Sequence, residues 1–261
     1  MDRRIIIIIT VLSALFAIAT AEEAGPASAT VPLVLDHNRM TVEIAFKRAD
    51  GSLRPARAWV DGGGTDVIVV EALARELGAD LSAMPTVSEH SFATATPVPS
   101  LSVGGLPLDT EGMKLSVNLG RFARPGVQAE CVLPARCLRR LHVVFDYPAR
   151  QLIVARPGVL TPKGTAVPCR VNSDTGLFMV EATIDGDKVA LGVDNGSAGT
   201  WLSSNLTAAW LARHPDWPRA VGAAGSTNFF GFPFETKGTL LTVCPSSASQ
   251  AREPFRGFQT W

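Results

Sequence analysis

Two short stretches, Ala58-Trp59-Val60-Asp61-Gly62-Gly63-Gly64-Thr65 and Leu191-Gly192-Val193-Asp194-Asn195-Gly196-Ser197, decide how this chain is read. Each runs an apolar strand straight into an aspartate and then into a turn of small residues. A lone Asp-Gly-Gly-Gly is an ordinary surface turn. What gives these two weight is their surroundings, which repeat in the same order.

Upstream of the first, Met40 to Phe46 alternates as a strand does, Ala49-Asp50-Gly51-Ser52 reads as a turn, and Arg57 to Val60 returns as a second strand. Downstream, Val67-Ile68-Val69-Val70 is a short apolar strand, and Glu71 to Leu77 has helical composition stopped by Gly78. The second stretch is framed alike. Phe178 to Ile184 alternates, Asp185-Gly186 is a hairpin signal, and Lys188 to Val193 leads back into Asp194. Thr200-Trp201-Leu202-Ser203 then precedes a predicted helix over Asn205 to Leu211. Val60-Asp61 and Val193-Asp194 stand 133 positions apart, and Val42-Glu43 is echoed by Val180-Glu181. Strand, turn, strand, aspartate loop, strand and helix occur twice, so the chain carries an internal repeat.

Composition agrees with a β-rich fold. Glycine (23) and proline (18) are plentiful in the 261 residues and the apolar runs are short, as in folds with many turns. Lys+Arg and Asp+Glu both number 24, so no net field draws the chain to nucleic acid or to an anionic membrane. At the N-terminus, Arg3 and Arg4 precede an apolar run from Ile5 to Ile18, and Ala19-Thr20-Ala21 follows. That is the pattern of a signal peptide over residues 1–21. The run is shorter than the roughly 20 apolar residues that span a bilayer. The expectation is an exported protein, periplasmic or secreted, with no stable membrane insertion after cleavage. Four cysteines, Cys131, Cys137, Cys169 and Cys244, suit such a compartment as structural bridges or as buried thiols. Three pairings are open, of which Cys131–Cys137 with Cys169–Cys244 is the most local. No C-x-x-C occurs and His37, His90, His142 and His214 are scattered, so neither a metal nor another cofactor is expected.

The repeated unit resembles the lobe of retropepsin-like aspartic peptidases, in the pepsin and retropepsin superfamily, with the bacterial exported type most similar. Other segments extend the likeness. Val103-Gly104-Gly105-Leu106-Pro107-Leu108 is similar to the Gly-Gly hairpin after the flap, and Val132-Leu133-Pro134-Ala135 to Leu138 to the strand beside the active-site loop. Val143 to Tyr147 with Gln151 to Val154 resembles the hairpin that closes a lobe. The resemblance implies an all-β fold with short helices: acid-protease-like closed-barrel lobes in tandem, the first over residues 31–157 and the second over 164–261. Ala220 to Phe232 resembles a second flap and Thr239 to Val243 the strand after it. Beyond Pro245-Ser246-Ser247-Ala248-Ser249 nothing matches Val132 to Val154. The second lobe is therefore expected to be C-terminally truncated, or completed by a partner chain or a homodimer.

The same resemblance makes Asp61 and Asp194 the two catalytic carboxylates of an aspartic-type endopeptidase, acting on peptide or protein substrates through an activated water. Two adjacent carboxyl groups do not both ionise cheaply, so they hold one proton between them and divide the roles of base and acid. Gly62, Gly63, Gly64 and Thr65, and Asn195, Gly196 and Ser197, form the active-site loops. Three positions depart from the family. A Thr or Ser there follows each aspartate and bonds across to the other lobe, whereas this chain has Gly62 and Asn195; Pro134 replaces a glycine. These departures motivate the alternative, a catalytically degenerate module that binds peptides or other partners on the same fold.

Overall fold

The computed structural model describes residues 25–36, 39–64, 66–81, 92–118, 129–172, 176–197, 200–217, 219–227, 233–241 and 258–260. Residues 1–24, and with them the predicted signal peptide, lie outside this set. Among the described residues no helix is long and apolar enough to cross a membrane.

The chain is mostly β, with two short α-helices among the described residues, as the composition and the repeat imply. In the first repeat, β1 (Ser28–Pro32) and β2 (Val34–Asp36) lead into β3 (Arg39–Lys47) and β4 (Leu53–Asp61). β3 and β4 form the expected hairpin, with Thr41 opposite Trp59 and Lys47 opposite Leu53. Asp50 closes its turn by accepting from the backbone N–H and the hydroxyl of Ser52, while Gly51 takes a φ of +83° that glycine adopts without steric cost. After Asp61 come β5 (Val67–Val70) and the helix Glu71–Glu76. Gly78 ends that helix at φ +76°, as its place in the sequence predicts.

β6 (Phe92–Pro97), β7 (Leu101–Val103), β8 (Leu106–Pro107) and β9 (Lys114–Asn118) follow, and then β10 (Cys131–Pro134), β11 (His142–Asp146) and β12 (Gln151–Ala155). Nine of these strands make one curled sheet in the order β6-β9-β5-β10-β4-β3-β7-β8, with β2 added on β3. β1, β12 and β11 make a separate three-stranded sheet. The decisive element is β10. It runs parallel to β4, placing Leu133 opposite Val60 and Pro134 opposite Asp61, and antiparallel to β5. Wedged between the strands on either side of the aspartate loop, β10 is buried at all four residues and fixes where that loop emerges. Pro134 is tolerated because it is the last residue of β10 and turns the chain into the 3-10 segment Ala135–Leu138, where no ladder donor is lost. Ile44, Phe46, Val60, Leu73, Leu133 and Leu152 join the buried core beneath.

The second repeat rebuilds the site-bearing half. β13 (Cys169–Val171), β14 (Phe178–Ile184) and β15 (Asp187–Val193) form one antiparallel sheet, with Phe178 opposite Val193. β16 (Thr200–Leu202) precedes the helix Ser204–Arg213, which Ser203 caps by accepting from the Leu206 N–H. β17 (Arg219–Thr227) and β18 (Pro233–Leu241) pair as the second flap-like hairpin; its tip, in the stretch read from sequence as a flap, lies outside the described residues. β19 (Phe258–Thr260) was not foreseen. It runs parallel to β16 and antiparallel to β18, the pairing that β9 makes with β5 and β6 in the first repeat.

The local Cys131–Cys137 bridge that the spacing allows is not formed. Both are buried free thiols engaged with different neighbours: Cys131 Sγ donates to the Arg57 carbonyl across the sheet, and Cys137 Sγ packs on Met113 Sδ. Burial holds both thiols protonated, that of Cys137 pushed up to about 12. Cys169 is exposed and unbridged, and Cys244 lies outside the described residues.

Candidate active site

The two aspartate turns face each other. Asp61 ends β4 and Asp194 follows β15 by one residue, so each strand delivers its carboxylate to the same place from opposite repeats. The contact is close enough for one backbone donor to serve both. The Gly63 N–H donates to Asp61 Oδ1 at 2.9 Å and to Asp194 Oδ1 at 3.2 Å. Asp194 Oδ1 also accepts from the Gly196 N–H at 2.9 Å. Burial and the adjoining Asp194 charge, with a hydrogen bond between the two carboxyl groups, raise the Asp61 carboxyl to about 6, while the Gly63 N–H opposes the shift. A pair this tightly coupled titrates as a unit.

The glycines of these turns answer to space rather than to backbone angle. None of Gly62, Gly63, Gly64 and Gly196 takes a left-handed φ. A Cβ on Gly196 would stand 2.5 Å from Asp61 Oδ1 and 3.0 Å from Asp61 Cα. On Gly63 it would stand 3.0 Å from Asp194 Oδ2, and on Gly64 3.2 Å from Asp61 Oδ2. Each turn thus presents bare backbone to a carboxylate. Gly63 and Gly196 both lie in tight turns, and closeness of approach is what excludes side chains from them.

No protein-family model matches the chain, and no curated protein matches it. Among solved structures it is similar to a retropepsin-like aspartic protease from Rickettsia conorii, at 18% identity and a TM-score of 0.36, over 49% of this chain and 89% of that one.

Of the residues singled out from sequence, Asp61, Gly62, Gly63, Gly64, Asp194, Asn195 and Gly196 converge on this one spot, and half-buried Ser197 continues the second turn. Thr65 lies outside the described residues. Among the described residues no group of His, Cys, Asp or Glu has the arrangement of a metal site. An apolar cavity of about 280 Å³ lies against the paired turns, lined from the first repeat by Val60, Leu138 and Phe145 and from the second by Phe178, Val193 and Asn195. Sequence reading missed its walls. Leu138 and Phe145 reach the repeat boundary only through the 3-10 turn after β10, a path that hydrophobic alternation does not reveal.

Asn195 does what its amide oxygen allows, partly standing in for the missing hydroxyl. Its Oδ1 accepts the Gly62 N–H at 2.8 Å, crossing from one repeat to the other. The position read as having lost its cross-lobe hydroxyl is therefore still tied, in one direction.

Proposed function

We propose that the protein is an exported aspartic-type endopeptidase in which Asp61 and Asp194 form a single-proton dyad. The observation that carries this reading is the Gly63 N–H shared between carboxylates from two repeats. A surface turn has no reason to bring two acids together, since their repulsion costs stability. The cost is accepted where the acids have a shared task.

In this reading the resting pair holds one proton, and the raised carboxyl of Asp61 makes it the acid of the pair. Asp194, turned toward the Gly63 and Gly196 donors, is the base. A water between them loses a proton to Asp194 as its oxygen bonds to the peptide carbonyl carbon, and Asp61 gives its proton to the carbonyl oxygen. In breakdown Asp194 gives its proton to the amide nitrogen as the C–N bond breaks and the amine leaves, while Asp61 takes a proton back from a hydroxyl as the carbonyl re-forms as the acid. No metal or covalent intermediate is required. The pair works with one proton held, so activity falls as pH rises through about 6.

The test is cleavage of a mixed peptide library from pH 3 to 8 by the mature protein. Turnover in the acidic range, reduced at least about a thousandfold in Asp61→Asn and in Asp194→Asn, is expected. No cleavage at any pH, or cleavage that survives both substitutions, would contradict it. One observation favours the second reading, a peptide-binding module without turnover: a single side chain ties the two turns where the family uses two. Saturable binding of library peptides that are recovered intact would select that reading.

A further inference from the structure

The two hairpins that deliver the aspartates share one register. Val42 faces Ala58 as Val180 faces Leu191, and Ile44 faces Ala56 as Ala182 faces Val189. Matched residues are nonetheless covered differently. Val60 is 1% exposed, whereas Val193, its counterpart ahead of Asp194, is 49% exposed. Ala58 is buried and its counterpart Leu191 only half-buried. The difference traces to one strand. β10 lies along the outer edge of β4, with Cys131 and Leu133 joining the core beneath it. Among the described residues β15 pairs with β14 alone, so no strand lies on the edge from Leu191 to Val193 that corresponds to the β10 seat. Val193 and Phe178 also line the apolar cavity at the repeat boundary, so an apolar strand seated on this edge would continue an interface that already exists.

The charges around this seat decide what kind of strand fits it. In the first repeat Arg54 of β4 joins the helix-end residue Glu76 at 2.7 Å and Glu130, the residue ahead of β10, at 2.6 Å. The second repeat inverts the signs. Asp187, the counterpart of Arg54, joins the helix-end residue Arg213 at 2.6 Å. Asp185 stands beside it, so Arg213 serves two carboxylates, and His214 meets Asp185. The corner that Glu130 fills in the first repeat therefore calls for a cation in the second. We propose that the outer edge of β15 is a docking site for an extended segment of another protein, laid parallel to β15 as β10 lies along β4. Its recognition features are a Lys or Arg followed by apolar side chains at alternate positions, which share the face of Leu191 and Val193. Pairing along an open edge supplies affinity, and the alternate side chains supply selectivity. Docking there uses the β15 edge and not the carboxylates, so it holds whether or not the protein cleaves peptides.

The probe is a synthetic peptide of residues 129–135, the β10 segment, bearing Glu130→Lys and Cys131→Ser; a companion peptide keeps Glu130 and bears Cys131→Ser alone. Each is titrated into the purified protein at low salt, with backbone hydrogen exchange as the readout. The Glu130→Lys peptide is expected to bind saturably with a Kd below about 1 mM. Exchange at Leu191 to Val193 should slow at least about tenfold on saturation, while β4 and β10 keep the rates of the free protein. The companion should bind about tenfold more weakly, by a margin that shrinks as salt is raised. Slow exchange at Leu191 to Val193 in the free protein at every concentration would mean that the chain itself fills the edge. Slow exchange that is lost on dilution would mean that a second copy does. Either result overturns the proposal, as does an absence of binding, protection confined to other strands, or a companion that binds equally well.

Discussion

Asp61 sits where two effects push in the same direction. Burial disfavours its charge, the neighbouring Asp194 disfavours it again, and the result is a folded-state value of about 6 against the usual 3.8. A raised carboxyl means that the folded protein binds a proton which the unfolded chain has already released between these limits. The stabilisation from that proton is complete below about 4 and is lost as pH rises through about 6. Asp61→Asn removes the liability without removing the bulk. Its melting temperature is expected to exceed that of the wild type by a few degrees at pH 7 and to match it at pH 3.5. A scan of unfolding temperature against pH checks this, and equal curves at both pH values would contradict it. The aspartates themselves were legible in the sequence because each ends an apolar strand and opens a turn of small residues. The meaning of Gly62 was not. Its hydrogen-bond partner is 133 positions away, and nothing local in a run of three glycines points to the Asn195 amide that its N–H meets.

At the level of elements, the helix Ser204–Arg213 shows what holds the second aspartate strand. Trp210 is fully buried, and its indole N–H donates to Asp187 Oδ2 at 2.7 Å, pinning the helix to the first residue of β15. Arg213 bridges Asp185 and Asp187 at 2.8 and 2.6 Å, and His214, stacked on Trp217, meets Asp185 at 2.9 Å. The hairpin turn before β15 is thus clasped by the end of the helix that follows the site. Trp210→Ala should cost about 3–5 kcal/mol in urea unfolding, whereas Trp210→Phe, which keeps bulk and loses the indole donor, should cost about 1–2. A loss under 1 kcal/mol for Trp210→Ala would show that the helix does not anchor β15. The hairpins, the two described helices and the Gly78 stop of the first follow from alternation and from glycine and Asp-Gly punctuation. β19 did not, because three residues carry too little periodicity. Pro134 read as a defect in a strand; in place it ends the strand and opens the turn that carries Leu138 to the repeat boundary.

Across the whole molecule, two repeats place one acid each at a shared point, and each has a buried core of its own among the described residues. The first has a continuous buried core running from Val31 to Val154; among the described residues the second centres on Ile184, Leu202 and Trp210. The duplication was readable because strand order and the aspartate loop recur together. The closeness of the two acids was not, since no local pattern encodes how one repeat docks on the other. That closeness is the central claim, and carboxyl-carbon NMR titration of the aspartates tests it most directly. With Asp61 and Asp194 assigned by Asp→Asn substitution, the Asp61 signal should titrate near 6 in the wild type and shift downward in Asp194→Asn, where the neighbouring charge is gone and burial alone remains. An Asp61 signal that titrates near 4, unmoved by Asp194→Asn, would contradict a shared-proton dyad.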